Sequence, residues 1–233
     1  MSNPNKATMD IKRKQLADLY YKSNSVKFGR FKISAHEQNP NLPLSPLYLH
    51  YPKSDEAGCE LLPQMFELIG YLFHKMILDQ NIVFSKIAGI PAGADPFAET
   101  TAHHFSNIPD VLLKFKKETD DVGSRIFTGP IPSQRIKSQK VLVLDDHTSG
   151  GYNKSLFVKM LEENNAVVTD VLTIVDREQG ATEFLRSIGI TLHSIFTISE
   201  LLDYYVETKQ ISLQQHDEVR AYITADRIVV RKI

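Results

Sequence analysis

The feature that most constrains this chain is a rhythm that begins at residue 62, where short apolar runs start to alternate with stretches whose apolar residues recur every three or four positions. "LPQMFELIGYLFHKMILDQ" reads as a long helix, followed by strand "KIAGIP", helix "DPFAETTAHHF" and strand "DVLLKFK". Beyond a polar loop the pattern resumes as strand "KVLVLDD", helix "NKSLFVKMLEENN", strand "VVTDVLTIVD", helix "ATEFLRSIG", strand "TLHSIFTI" and helix "SELLDYYVETK". Strands joined by helices make right-handed crossovers, so the expected fold class is α/β, with a central, mostly parallel sheet flanked by helices. Ahead of this rhythm, "KRKQLADLYYKSNS" has helical spacing, while "KFGRFKIS" and "SPLYLHY" alternate like strands around the turn-rich "AHEQNPNLPL". About residues 1–60 are therefore expected to form a small N-terminal α+β arm or hood. With 233 residues, 42% of them hydrophobic, and with no repeat or linker, the whole of 1–233 is expected to be a single domain.

Charge narrows the ligands. The net charge is -1, so no global positive field draws nucleic acid or an anionic membrane, and an anionic ligand must be held locally. A lone cysteine, Cys59, makes no internal disulfide and fits a reducing compartment. No apolar run approaches the ~18 residues of a membrane span, and "MSNPNKATMD" lacks a signal-peptide core. The expectation is a cytoplasmic protein with neither nucleic-acid nor membrane partners.

In an open α/β sheet, ligands bind beyond the carboxyl ends of the strands. Four such ends stand out: "AGIPAGAD", "KKETDDVGSR", "DDHTSGG" and "DREQG". The third combines two carboxylates, Asp145 and Asp146, with small residues that lead into a helix. Carboxylates suit ribose hydroxyls or a water on Mg²⁺, and free N–H groups at a helix start cradle an anion. A sugar phosphate would use both halves, although strand-ending acids also serve as ordinary helix caps. A G-x-G-x-x-G turn and a G-x-x-x-x-G-K-[ST] loop are both absent. A Mg²⁺-dependent phosphoacceptor domain would leave the arm, the polar loop and the extra strands as surplus.

An apolar strand, two acids, two variable residues, a hydroxyl, a small residue and Gly resembles the phosphoribosyl-pyrophosphate signature of type I phosphoribosyltransferases. "VKFGRFKIS…SPLYLHY", "LLKFKKETDDVGSRIFTG" and "TDVLTIVDREQGATEFLRSIGITLHSIFTISELLDY" further resemble orotate phosphoribosyltransferases, most closely the transferase domain of bifunctional UMP synthase. The resemblance covers about residues 14 to 222, and no decarboxylase domain is expected. It implies a type I phosphoribosyltransferase-like fold, phosphoribosyl pyrophosphate and orotate as substrates, Mg²⁺ as cofactor with no protein metal ligand assigned, and a homodimer. The implied reaction is de novo pyrimidine synthesis of orotidine 5′-monophosphate, on the route to UMP. By the same resemblance Asp145 and Asp146 would hold the ribose hydroxyls, and Ser149, Gly150, Gly151, Tyr152 and Asn153 would cradle the 5′-phosphate. Pro91, Ala92 and Gly93 would form the pyrophosphate loop, and Arg177 would take the orotate carboxylate, a role its planar guanidinium suits.

The chain also departs from that family, and the departures share a sign. The family's loop reads R-K-E-x-K-D-[HY]-G and this one reads "KKETDDVG". Lys116 replaces the arginine, Lys117 and Glu118 match, Asp120 stands at a lysine position and Val122 at the aromatic or His. The arm lysine falls near Ser34, with Lys32 two positions away, and the pyrophosphate-loop lysine or hydroxyl falls at Gly93. Each lost cation would have stabilised the leaving pyrophosphate, typically by ~100-fold in rate. Arg125, Lys114, Lys116 and Lys117 are the candidate replacements, and the expected catalytic set is Asp145, Asp146, Lys117 and Arg125. His147 stands at an apolar position of the family motif and either binds phosphate or fills space. His103 and His104, adjacent on a helix, face different ways and make a poor metal pair. Two readings remain: a transferase, slow or altered in specificity, and a non-catalytic phosphoribosyl-binding relative with a regulatory or assembly role.

Overall fold

The computed structural model describes residues 9–32, 41–91, 93–119, 125–129 and 136–230, with backbone alone at 119, 125, 126 and 226–230. The predicted alternation is present. Strands β3 (Lys86–Gly89), β4 (Leu112–Leu113), β7 (Val141–Thr148), β8 (Asp170–Asp176) and β9 (Thr191–Thr197) form one sheet in the order β4-β3-β7-β8-β9. Every pairing in it is parallel. The helices are α2 (Leu62–Asp79), α3 (Asp95–His103), α4 (Tyr152–Glu163), α5 (Ala181–Ser187), α6 (Ile198–Glu207) and α7 (Leu213–Val230). Among the described residues, no helix is long and apolar enough to cross a membrane.

Period-two alternation along β7 gives the sheet its two cores. Leu142 and Leu144 join Met65, Ile69 and Phe73 of α2 and Phe97 of α3 on one face. Val141 and Val143 join Phe157, Val158 and Leu161 of α4 on the other. All of these side chains are nearly or fully buried, and each contributes roughly 1.5–3 kcal/mol of transfer free energy.

The N-terminal arm is helix α1 (Ile11–Lys22) and an antiparallel pair, β1 (Val26–Phe31) with β2 (Ser45–Leu49), as expected. The α1 face carrying Leu16, Ala17 and Tyr20 is buried in the same core as α2. Polar contacts tie α1 to the far end of the chain, among them those of Arg13, Ala17, Asp18 and Tyr21. Arg13 donates to the Ile195 carbonyl at 2.9 Å and pairs with Glu200 at 2.8 Å, and the Tyr205 hydroxyl donates to the Ala17 carbonyl at 2.9 Å.

Three local readings need correction. "DVLLKFK" is not one strand, because only Leu112–Leu113 pairs with β3. The chain then leaves the sheet edge, with Lys114 exposed and paired with Glu99 and with Phe115 buried, and forms a separate hairpin of β5 (Lys116–Thr119) and β6 (Arg125–Thr128). β7 runs two residues past "KVLVLDD", because β8 continues to pair with it as far as Thr148 opposite Asp176. Helix α7 had no counterpart in the sequence reading.

Candidate functional site

The extension of β7 puts both acids inside the strand, at its carboxyl end. Asp145 continues the face of Val141 and Val143 and so points toward α4. Its Oδ1 accepts the Asp146 N–H at 2.9 Å and its Oδ2 pairs with the Lys154 ammonium. Lys154 is only 4% exposed, and its Nζ also donates to the His147 carbonyl at 2.9 Å. Asp146 lies on the opposite face, where Oδ1 accepts the His147 N–H at 2.6 Å. Its Oδ2 faces the loop after β3, such that a Cβ built on Gly93 would stand 2.8 Å from it. The Ile90 N–H, bonded to the Leu144 carbonyl at 2.9 Å, holds that loop against β7.

These surroundings drive the two carboxyls apart. Burial pushes Asp145 up to about 6, with Lys154 pulling the other way. For Asp146 the burial penalty is outweighed by the charge and hydrogen bonds of His147, which hold it well below the usual carboxylate range. His147 lies between the Asp146 carboxylate, 3.5 Å from its Nδ1, and the N-terminal arm. Its ring is largely buried, edge-on to Tyr20 with ring centres 6.1 Å apart and 6.0 Å from the ring of Tyr51, and its Nε2 is 3.5 Å from the Tyr20 hydroxyl. The Tyr20 and Tyr51 hydroxyls lie 3.1 Å apart, and burial raises both phenols. Of the two roles open for His147, filling the space between arm and sheet is the one this placement describes.

After β7, Gly151 takes a left-handed φ of 83° and opens α4. A side chain there would press on Phe184, 3.1 Å away, so glycine lets the α4 start sit tightly against α5. A Cβ on Gly150 would meet nothing within 4 Å, which leaves room for a ligand beside the first N–H groups of α4. Tyr152 and Asn153 are exposed at that end, as is Ser149, whose carbonyl accepts the Ala181 N–H at 3.1 Å.

Arg177 follows β8 directly and is 8% exposed, its N–H bonded to the Thr148 carbonyl at 2.8 Å. Its turn is braced on both sides. Asp176 accepts the Glu178 N–H at 2.8 Å and the Thr182 hydroxyl at 3.0 Å, while Glu178 accepts the Ser199 N–H at 2.9 Å and lies 3.8 Å from Arg220 of α7.

Asp145, Asp146, Gly93, the residues from Ser149 to Asn153 and Arg177 thus gather around the ends of β3, β7 and β8, with Pro91 buried beside them. Lys116 and Lys117 are exposed on the separate hairpin, and Lys32 is exposed after β1. Ala92, Ser34, Asp120, Val122 and the side chain of Arg125 lie outside the described residues. Sequence reasoning missed Lys154, although a signal existed, since positions 154, 157, 158 and 161 form the buried stripe of α4.

Among the described residues, no three His, Cys, Asp or Glu side chains group to hold a metal, and His104 stacks on His74 with ring centres 4.7 Å apart. Asp145 is taken by Lys154, so of the two acids Asp146 is the one that would be available to the water shell of a Mg²⁺ carried in by a substrate.

No protein-family model matches the chain. It is 29% identical over 214 residues to the uridine 5′-monophosphate synthase of Caenorhabditis elegans, covering 91% of this chain and 39% of that protein. It therefore spans about two fifths of the length of that relative. The orotate phosphoribosyltransferase of Thermoplasma volcanium is 30% identical over 186 residues, which are 80% of this chain and 98% of the relative. Among solved structures, the UMP synthase of Leishmania donovani shares the fold, with a TM-score of 0.70 at 24% identity over 91% of this chain and 42% of that one. By the near-complete coverage of the Thermoplasma volcanium protein, the chain belongs to the orotate phosphoribosyltransferase family.

Proposed function

We propose that this chain transfers the phosphoribosyl group of phosphoribosyl pyrophosphate to orotate, giving orotidine 5′-monophosphate and pyrophosphate, at the carboxyl ends of β3, β7 and β8. The observation that carries the reading is the junction of β7 and β8, where the acid pair, the open start of α4 and Arg177 adjoin through the Arg177 to Thr148 hydrogen bond of 2.8 Å. The 5′-phosphate sits on the N–H groups between Ser149 and Asn153, with Gly150 leaving space for it. The Arg177 guanidinium takes the orotate carboxylate and turns the ring nitrogen toward C1′. A bond then forms between that nitrogen and C1′ as the bond from C1′ to the pyrophosphate oxygen breaks, and the ring proton is released.

The transition state carries positive charge on the sugar and growing negative charge on the leaving group. The Asp146 carboxylate, ionised well below neutral pH, opposes the first charge. The second would be neutralised by Mg²⁺ arriving with the substrate. The hairpin lysines Lys116 and Lys117 are exposed, so a slow enzyme in which they supply the remaining cations for the pyrophosphate is the form of activity proposed.

The same reading includes a homodimer, in which the β5–β6 hairpin of each chain, a sheet of its own, completes the other's site across a two-fold axis. A cytoplasmic location belongs to it as well, in keeping with the single free thiol, Cys59.

Loss of orotate absorbance in the presence of phosphoribosyl pyrophosphate and Mg²⁺, with the nucleotide product identified by chromatography, is the expected result. Phosphoribosyl pyrophosphate binding without any orotate consumption would replace this reading by the non-catalytic one. Absence of both would overturn the phosphoribosyl assignment. Light scattering that gives a monomer at micromolar concentration would remove the dimer.

A further inference from the structure

We infer that the two acids divide their work: Asp146 alone accepts the ribose hydroxyls, and Asp145 is a positioning residue that the buried Lys154 keeps away from the sugar. This rests on the phosphoribosyl reading of the motif and assigns its parts.

Both oxygens of Asp145 are already engaged, Oδ1 by the Asp146 N–H at 2.9 Å and Oδ2 by the Lys154 ammonium. The Asp145 side chain is 12% exposed, against 30% for Asp146. The two carboxylates also leave β7 on opposite faces, Asp145 toward α4 and Asp146 toward Gly93. A ribose at the end of β7 on the Gly93 face therefore meets Asp146 without either acid moving. Reaching the same sugar with Asp145 would mean breaking a buried ion pair and leaving the Lys154 ammonium, 4% exposed, without its carboxylate.

Lys154 does more than neutralise. By donating also to the His147 carbonyl at 2.9 Å, it spans the first and third residues of the motif and fixes the turn that leads into the phosphate cradle. Its charge cancels that of Asp145, so the acid pair presents one net negative charge to the incoming phosphate and not two. That lowers the repulsion between the acids and an anion bound only a few residues away.

The test is calorimetric titration with ribose 5-phosphate in the presence of EDTA, a probe that carries the phosphate and the hydroxyls but no pyrophosphate. Lys154→Met should weaken binding by about tenfold or more, because it strands a buried carboxylate beside Asp146. Adding Asp145→Asn to Lys154→Met should restore affinity to within about threefold of the parent, since replacing both members of a buried pair is far milder than removing one. Asp146→Asn should also weaken binding by about tenfold or more, the loss of a charge-assisted bond, and Lys154→Met should not repair it. A double variant as weak as Lys154→Met, or full affinity in Lys154→Met, would overturn the division of labour. If Lys154→Met does not fold, as followed by thermal unfolding, the double variant compared with Asp146→Asn decides alone, and equal losses overturn the inference. A parent protein that binds no ribose 5-phosphate would instead overturn the phosphoribosyl reading and this inference with it.

Discussion

Replacing Gly93 by alanine should damage ligand binding while leaving stability almost intact. The new Cβ would stand 2.8 Å from Asp146 Oδ2, inside the 3.4–4 Å range of ordinary contact, so the carboxylate must retreat by about 0.6 Å. It can retreat, because the obstructing atom is the end of a side chain that is 30% exposed. The folding cost should therefore stay below about 1 kcal/mol. Asp146 is not free to turn without loss, since Oδ1 holds the His147 N–H at 2.6 Å, and a displaced carboxylate no longer meets the ribose hydroxyls. One charge-assisted hydrogen bond is worth about 1.5–3 kcal/mol, which corresponds to about 10- to 100-fold in the dissociation constant of phosphoribosyl pyrophosphate. Calorimetry would read the affinity and thermal unfolding the stability, on the same samples. Gly93→Lys, which places a family-type cation at this position, should bind no better than Gly93→Ala, because its Cβ meets the same oxygen. Unchanged affinity in a stable Gly93→Ala protein would refute the placement of Asp146 at the ribose.

Three more outcomes are expected. Gly151→Ala should lower stability by about 1–2 kcal/mol in thermal or urea unfolding, since φ is 83° and the added carbon would lie 3.1 Å from Phe184. Asp145, lifted by burial from 3.8 to about 6, keeps a proton in the folded chain that the unfolded chain has released, so its contribution to stability should fall as pH rises from about 4 through 6. At roughly 1.4 kcal/mol per unit the change is on the order of 3 kcal/mol, and a parent-minus-Asp145→Asn difference in unfolding free energy that stays flat across that window would contradict it. Arg177→Ala should weaken orotate binding by about 1.5–3 kcal/mol and phosphoribosyl pyrophosphate binding far less, whereas equal losses for both would mean that Arg177 holds the turn and not the base.

Periodicity was enough to place the elements that build the sheet, because each apolar run from "KIAGIP" onward had to find a buried face. It failed where tertiary context decides. "DVLLKFK" looked like one strand, but the exposed Lys114 and the buried Phe115 take the chain off the sheet edge after two paired residues. α7 buries Val219 and Ile223 among many polar residues, too weak a stripe to stand out. The acid pair and the glycines after it were legible, since carboxylates and bare backbone at a strand end have few structural uses. Lys154 was not singled out, because a helical lysine is ordinarily solvated and only the packing of α4 on β7 buries this one. Nor did the sequence say that His147 would meet Tyr20 and Tyr51, residues separated from it by 127 and 96 positions along the chain.

The contacts that seat α1 have a kinetic consequence. Arg13 waits for Ile195 and Glu200, and Ala17 for Tyr205, partners more than 180 residues later in the chain. On a growing polypeptide, Arg13 and the Ala17 carbonyl are therefore made long before the groups that fix them, while the Leu16 and Tyr20 stripe can already meet α2. Contacts of such long sequence separation slow folding, so the polar anchoring of α1 trails its apolar packing. Refolding from denaturant should accordingly show the arm anchored late, after the parallel sheet has formed, with Tyr20 and Tyr51 reporting the final phase through their change in environment.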